Sequence, residues 1–276
     1  MISGRGDPTA PPGRRVDSLV LVLVLVLLVG TVLLPGCGFP DASSTGPSGS
    51  LAPSGSITTS FAGQVIENLD ISGEVRVQHD DVTIRNVRIR SQGGHAIYIL
   101  GNRDLVVEDC ELDGQGRNAT SAIAEHNYTM RRCEVHGFGE GPRINGNVVL
   151  EDNFIHGFVN FVAQGAHQDC IQATSGWNIV IRGNTCVIDV DGANAAIYFA
   201  TSSGGNVLIE GNLIGGGTYA LYCGDDLYSG VTVRDNHFTT QVWPNGGWAG
   251  PTAYCAQANK SGNVWHDGPR AGQPVT

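Results

Sequence analysis

The chain has 276 residues and a formal net charge of −10, from 16 basic and 26 acidic side chains. Lys260 is the only lysine and no long basic cluster occurs, so the composition argues against a nucleic-acid partner. The acidic balance does not favour a polyanionic substrate, and the length suffices for one well-buried domain.

The N-terminus predicts a secretion signal followed by a lipid-attachment site. Arg14 and Arg15 precede an apolar run at Leu19–Leu34, and a basic flank before a short apolar segment is typical of an exported chain. The run is shorter than the ~20 residues that span a bilayer. It is followed by Pro-Gly-Cys37, which resembles the bacterial lipobox, where the Cys is diacylated and becomes the new N-terminus. An uncleaved membrane anchor is the alternative.

Three segments follow from this pattern. We predict a lipoprotein signal peptide at 1–36, a linker at 37–59 that is lipidated on Cys37, and a folded domain at 60–276. The linker is rich in Ser, Gly, Pro and Ala and has few charges, which predicts a flexible spacer. The domain should therefore be extracytoplasmic and held at the bacterial cell membrane by the lipid.

Eight charged residues of alternating sign follow one another at uneven intervals of 18, 23, 23, 20, 31, 28 and 24 residues. They are Glu67, Arg85, Glu108, Arg131, Glu151, Arg182, Glu210 and Arg234. Alternation over such varied gaps is explained if these side chains are neighbours on parallel strands about 4.8 Å apart. Opposite charges across strands stabilise the pair and like charges destabilise it. The pattern predicts a solenoid of about eight or nine coils, with one such strand in each.

Each coil is predicted to contain three strands. Apolar residues beside the charge, such as Ile84 and Leu150, alternate with it and should point into the core. An inward amide at a tight turn can bond the backbone of its own and the next coil, which predicts an asparagine ladder. The residues of this ladder lie two positions after the charge, at Asn153, Asn184, Asn212 and Asn236.

The order of short strand, Asn-bearing turn, short strand and variable loop resembles the right-handed parallel β-helix. That fold is shared by pectate lyases, polygalacturonases, alginate epimerases and many surface proteins of unassigned activity. The resemblance covers residues 60–266 and implies an all-β solenoid. It says little about activity, because one fold hosts many functions.

Six cysteines follow Cys37, and an exported domain permits disulfides among them. Cys110 and Cys133 occupy the same turn column on successive coils. This placement is compatible with a disulfide and equally with two stacked, buried thiols. No Cys/His zinc motif is present in the sequence.

The third strand follows the variable loop, and in enzymes of the resembled fold the cleft lies along this strand. Aromatic faces with polar tips suit sugar rings, so we predict Gln172, Tyr198 and Tyr222 as substrate-binding residues. Exposed tyrosines are also favoured in strands without any ligand, which is the alternative. The outward column of this strand is predicted as Tyr98, Ala124, Asn145, Gln172, Tyr198, Tyr222 and Cys255.

The densest cluster of reactive side chains is at 167–172, where the longest internal loop, Phe158–Gln168, meets the third strand. We predict His167 and Asp169 as a catalytic acid–base pair, with Arg143 on the adjacent third strand as the catalytic cation. The alternative is a loop anchor in which Asp169 accepts backbone hydrogen bonds. The His-Gln-Asp-Cys-Ile-Gln string and Gly262–Trp265 are similar to segments of secreted actinobacterial β-helix lipoproteins of unassigned activity.

A second cluster comprises Asp113, His136 and His156 at the end of the second strand. Consecutive rungs would hold the two imidazoles about 5 Å apart. We include His156 among the predicted substrate-binding residues, and stacked surface imidazoles are the alternative. No cofactor or metal is predicted, although these side chains could bind a divalent cation such as Ca²⁺.

Two enzyme classes fit this pattern incompletely. Asp169 resembles the first catalytic Asp of polygalacturonases, but Ala195-Ala196 stand where a paired Asp is expected, which argues against a two-carboxylate hydrolase. A lyase of this fold commonly uses Arg or Lys as its base, and Arg143 is the candidate.

We therefore predict a monomeric, surface-anchored, carbohydrate-active protein. It would be a polysaccharide lyase or glycoside hydrolase acting on a polysaccharide or cell-surface glycan. The alternatives are a non-catalytic glycan-binding or cell-wall surface module and a purely structural spacer.

Overall fold

The computed structural model describes residues 38–101, 103–199, 203–224 and 227–275. The predicted signal peptide and the predicted lipidation of Cys37 lie outside the described residues. A search of the described residues finds no helix that is both long and apolar enough to cross a membrane.

Short β-strands make up most of the regular structure, with 3-10 helices at Val162–Gln164 and Gly268–Arg270. In chain order the strands are β1 (Ala52–Thr58), β2 (Val65–Glu67), β3 (Leu69–Val77), β4 (Thr83–Arg85), β5 (Arg88–Arg90), β6 (Ile97–Ile99), β7 (Leu105–Glu108), β8 (Glu111–Ser121), β9 (Ile123–Ala124), β10 (Tyr128–Arg131), β11 (Glu134–Glu140), β12 (Val148–Glu151), β13 (Phe154–Ile155), β14 (Ile171–Ala173), β15 (Gly176–Arg182), β16 (Thr185–Ile188), β17 (Ala195–Phe199), β18 (Gly204–Glu210), β19 (Leu213–Gly216), β20 (Tyr219–Tyr222), β21 (Tyr228–Arg234), β22 (His237–Phe238), β23 (Gly250–Ala253), β24 (Asn259–Ser261) and β25 (Val264–Trp265).

These strands stack into three parallel sheets that together form a solenoid. In the described residues the first sheet has nine strands, in the order β2-β4-β7-β10-β12-β15-β18-β21-β24. The second sheet follows β25-β22-β19-β16-β13-β11-β8-β5-β3 and includes β6 and β9, and the third is β14-β17-β20-β23. The predicted all-β solenoid and its number of coils are confirmed.

The alternating charges form a ladder on the first sheet, as predicted. Arg131 is aligned with Glu108 on one side and Glu151 on the other. Five pairs are in contact: Arg85–Glu67 and Arg131–Glu108 at 2.7 Å, Arg234–Glu210 at 3.0 Å, Arg182–Glu151 at 3.2 Å and Arg182–Glu210 at 3.6 Å. The apolar neighbours Ile84 and Leu150 are fully buried. Since exposed pairs of this kind are worth about 0–1 kcal/mol each, the ladder mainly favours the correct register.

A ladder of buried asparagines runs through the turn between the first and second strands. The Asn212 amide donates to the Ile181 carbonyl at 2.9 Å and to Asn236 Oδ1 at 2.9 Å. Its own Oδ1 accepts the Asn184 backbone N–H at 2.9 Å. Asn263 extends the predicted column by one coil. Each amide therefore satisfies backbone groups that the sheets leave unpaired.

The residue directly after the ladder charge adopts a left-handed conformation in several coils. Asn86 has φ 52°, Asp152 φ 54° and Gly211 φ 64°. Asn, Asp and Gly tolerate this conformation best, which explains their recurrence at this position. Arg132 is the exception, with φ 52°, and its guanidinium contacts Asp109 at 2.7 Å on the preceding coil.

The predicted outward column of the third strand is correct in its centre and wrong at two positions. Gln172 is aligned with Tyr198, and Tyr198 with Tyr222. Arg143, rather than Asn145, pairs with Gln172, and Ala253, rather than Cys255, pairs with Tyr222. Each predicted position lies two residues too far along the chain, because the loop before the strand ends earlier than the sequence pattern implied.

The six cysteines of the described residues form two disulfides and two free thiols. Cys170 is bonded to Cys186, and Cys223 to Cys255. Cys110 and Cys133 are free and buried, so the alternative of two stacked thiols is the one observed. Cys255 is thus an inward residue, which is why it does not belong to the outward column.

The prediction of a flexible linker at 37–59 is wrong for its described residues. Residues 52–58 form β1, which pairs with β3 and caps the first coil. Residues 38–51, here called the strap, run back along the solenoid. The Phe39 ring lies 5.0 Å from that of His237 near the C-terminal end, and the Ser48 N–H donates to Asn86 Oδ1 at 2.7 Å near the N-terminal end. Gly46 bonds to the Arg132 carbonyl between them at 3.0 Å. Composition alone did not reveal these partners.

Substitution of Asn212 tests the buried ladder. Asn212→Ala removes the amide that bonds two coils and leaves buried backbone groups without partners, at about 1–3 kcal/mol for each group. Urea denaturation should therefore show a clear loss of unfolding free energy. The control Asn259→Ala, at an exposed position of β24, should change it by no more than about 0.5 kcal/mol. Equal effects of the two changes would contradict a structural role for the ladder.

Candidate functional site

The third sheet presents a row of tyrosines that continues beyond the predicted pair. The Tyr198 and Tyr222 rings are 4.9 Å apart, and the Tyr222 and Tyr254 rings are 4.6 Å apart. These three residues are here called the tyrosine ladder. Tyr254 is exposed and was missed, although the repeat of Tyr-Cys at 222–223 and 254–255 could have indicated it. The spacing follows from one ring per coil.

His167, Gln172 and Asp169 lie together at the N-terminal coil of this sheet. The Gln172 amide donates to Asp169 Oδ2 at 3.0 Å and contacts His167 Nδ1 at 2.9 Å. The predicted proximity of His167 and Asp169 is thus present, but Gln172 mediates it. His167 is exposed, whereas Gln172 and Asp169 are buried. Gln172 and Asp169 therefore do not line an open groove beside His167.

Asp169 is enclosed by protein. Burial raises the pKa of Asp169 well above its usual value, and the nearby Glu140 carboxylate raises it further. Hydrogen bonds from the Ala195 N–H and from Gln172 oppose this rise, and the first of them is 3.1 Å long. The predicted direct catalytic role for Asp169 is therefore not supported, because a fully buried carboxylate cannot touch a polymer. Its position suits orienting Gln172 and, through it, His167.

Glu140 is the functional candidate that sequence reasoning missed. Its Oε1 accepts a hydrogen bond from the backbone N–H of His167 at 3.0 Å, and its Oε2 accepts one from Arg143 Nη2 at 2.8 Å. The carboxylate is buried, so it fixes the loop end that carries His167.

Arg143 also lies 3.8 Å from Glu125. Since two carboxylates neutralise this guanidinium, the predicted role of Arg143 as a free base or substrate cation is not supported.

The second cluster lies on the second sheet and is separate from the tyrosine ladder. The His136 and His156 rings are stacked with centroids 5.5 Å apart, close to the predicted distance. His156 Nε2 lies 2.9 Å from Glu134 and its ring stacks on Phe154 at 3.8 Å. His156 therefore lies by the second sheet, apart from Tyr198 and Tyr222 on the third.

Glu111, Asp113 and His136 have ligand atoms within 4.8 Å of one another, as a divalent cation would require. However, the two imidazole nitrogens of His136 face different carboxylates, Nε2 at 3.2 Å from Glu111 and Nδ1 at 3.6 Å from Asp113. Arg88 also occupies the second Glu111 oxygen at 2.6 Å. One imidazole cannot direct both nitrogens at one ion, so the arrangement suits a protonated histidine better than a metal.

These features define a parallel β-helix protein with an aromatic face and an adjacent, buried polar network. Comparison with protein families agrees with this class: residues 73–263, more than half of the chain, match the family described as the right-handed beta helix region. The chain belongs to that family. Comparisons with curated proteins and with solved structures each gave no match. The fold supports a carbohydrate-active or surface-module type of protein.

The stability of the second cluster should depend on pH. The hydrogen bond to Glu111 raises the pKa of His136, with a further contribution from Asp113, and burial opposes it. Because this pKa is higher in the folded state, its stabilising contribution is complete below the unfolded value of about 6.5 and is lost as the pH rises through the folded value. His136→Asn should therefore lower the unfolding free energy more at about pH 6 than at about pH 9.

Denaturant titrations at both pH values measure this difference. His126→Asn is the control, since no carboxylate of the described residues is recorded in contact with His126. A loss for His136→Asn that is the same at both pH values would rule out the proposed protonation.

Proposed function

We propose that this protein is an extracytoplasmic, surface-anchored protein that binds a polysaccharide along the tyrosine ladder and hydrolyses it beside His167. The observation that carries the proposal is the row of Tyr198, Tyr222 and Tyr254, whose rings repeat at 4.9 and 4.6 Å. Aromatic faces bury the apolar side of sugar rings. A ladder along the axis suits an extended chain better than a single small molecule.

The chemistry would be general acid catalysis by His167. Its exposed imidazole lies at the end of the third sheet, and Gln172 and Glu140 hold its side chain and backbone. With Nδ1 accepting a hydrogen bond from the Gln172 amide, Nε2 carries the ring proton and can donate it to the glycosidic oxygen as the bond to the anomeric carbon breaks. Water then supplies hydroxide to that carbon, and its proton returns to His167. The positions of Gln172 and Asp169 suit orienting the ring.

The charge of the site favours hydrolysis of a glycan without carboxylates over eliminative cleavage of a uronate. A lyase needs a cation to neutralise the substrate carboxylate and a free base. The only predicted cation, Arg143, is 2.8 Å from Glu140 and 3.8 Å from Glu125. A polyuronate approaching this point would meet a neutralised guanidinium and the exposed Glu125.

A non-catalytic glycan-binding module is the second candidate. The observation that favours it is burial: of the three predicted catalytic residues, Asp169 is fully buried and Arg143 is held by Glu140, so only His167 is freely exposed. Binding through the tyrosine ladder does not require any of them. The two candidates therefore differ in turnover and agree in binding.

A polysaccharide panel separates the two candidates. Binding to immobilised glycans is measured together with release of reducing ends. Tyr222→Ala should weaken binding about fivefold to tenfold, as expected for loss of one aromatic contact. If the protein is a hydrolase, His167→Ala should lower turnover by at least about 100-fold with binding retained. His126→Ala is the control for both. Binding without turnover selects the module, and absence of binding to every glycan refutes the proposal.

Surface anchoring is tested at Cys37. Lipid attachment requires the thiol, so Cys37→Ser should block processing and leave the uncleaved chain, whereas the natural chain should fractionate with membranes and carry a diacylglycerol mass on its N-terminal residue. Intact-mass analysis of the membrane fraction measures both. An unmodified Cys37 in the mature protein would contradict the lipoprotein interpretation and leave the glycan proposal intact.

A further inference from the structure

A pocket of about 280 Å³ lies on the loop edge between the second and third sheets. Its lining includes Trp243 and Trp248 together with Val190 and Asp191. A second depression of about 280 Å³ shares Val190 and Asp191 and extends to Phe158 and Asp189. The two depressions are therefore neighbours and are together called the trough, and the functional proposal above does not use them.

The trough follows the same rungs that carry His167. The Asn194 N–H bonds to the His167 carbonyl, Thr218 bonds to Asn194, and Ala249 bonds to Thr218, at 3.4, 2.9 and 2.8 Å. Each of these bonds advances one coil, so Trp248, next to Ala249, lies about three coils or ~14 Å from His167 along the axis. A glycan at His167 that continues along the axis would reach the tryptophans within a few sugar units.

The lining of the trough suits a sugar ring. Trp248 has 68 % of its surface exposed and Trp243 is half-buried. An exposed tryptophan beside a pocket offers a flat apolar face for stacking. In the described residues no hydrogen bond or ion pair is recorded for the carboxylates of Asp189 and Asp191, so these groups remain available to a ligand.

The charge of the trough restricts its occupant. No basic residue lines either depression in the described chain, and both aspartates are exposed. A uronate would meet uncompensated carboxylates, whereas neutral hydroxyls can donate to them and a free sugar amine would be attracted to them.

We propose that the trough is a second sugar subsite, which stacks a pyranose ring without a carboxylate on Trp248 and prefers a free amino sugar through Asp191. This inference rests on the proposed glycan-binding function and names the class of sugar that the same site would accept. It assigns selectivity to the loop edge, whereas the tyrosine ladder supplies affinity that does not depend on charge.

Three hexasaccharide probes test the subsite: a glucosamine hexamer, an N-acetylglucosamine hexamer and a galacturonate hexamer. Affinity is measured by calorimetry, and tryptophan fluorescence reports contact with the ring. We expect the order glucosamine, then N-acetylglucosamine, then galacturonate. Trp248→Ala should weaken binding of the first two at least about tenfold and abolish the fluorescence change, and Asp191→Asn should selectively reduce the preference for glucosamine.

Trp177→Ala is the matched control, since Trp177 is also exposed but belongs to β15 of the first sheet. It should leave affinity and the fluorescence change intact. If Trp248→Ala matches the natural chain while Tyr222→Ala weakens binding, the subsite is refuted and the glycan proposal stands. Preference for galacturonate also refutes the subsite, and failure of all probes and of the polysaccharide panel refutes both.

Discussion

The buried asparagine amides impose the constraint on which the rest of the solenoid depends. Asn184 donates to the Arg182 carbonyl of its own coil at 3.0 Å and to the Leu150 carbonyl of the preceding coil at 3.0 Å, and its backbone N–H donates to Asn212 Oδ1 at 2.9 Å. Satisfying these bonds requires each coil to sit directly on the one before it. A shift of one residue would expose the apolar face and would also leave the asparagine amides without hydrogen-bond partners.

This fixed register is what assembles a site from distant parts of the sequence. Loops of different length leave the second sheet, yet each returns to the third sheet on a defined rung, because the strands that bracket it are already aligned. Tyr198, Tyr222 and Tyr254 consequently stack, although 24 and 32 residues separate them. The loops can vary in chemistry at little structural cost, and the fold therefore permits many activities on one scaffold.

The sequence predicts those features that recur at the same position on successive coils. The charge alternation and the Asn column are periodic, and periodicity survives loops of any length. Glu140 and the burial of Asp169 occur once, and they depend on the path of a single loop, which no repeat encodes. The two-residue errors at Asn145 and Cys255 have the same origin, since each follows a loop whose end is set by packing. The strap was missed because its Ser- and Gly-rich composition is also that of a free linker, and its bonds are largely to backbone or to single side chains.

The strap has a consequence for the order in which the protein can fold. Coils can add one after another as the chain is synthesised, because each contacts only its neighbours. The strap is made before any coil, but Phe39 packs on His237 and His266, which lie in the last coils. Its closure must wait for nearly the whole chain, so a docked strap marks a complete solenoid, whereas a truncated chain would leave the segment undocked and open to proteolysis.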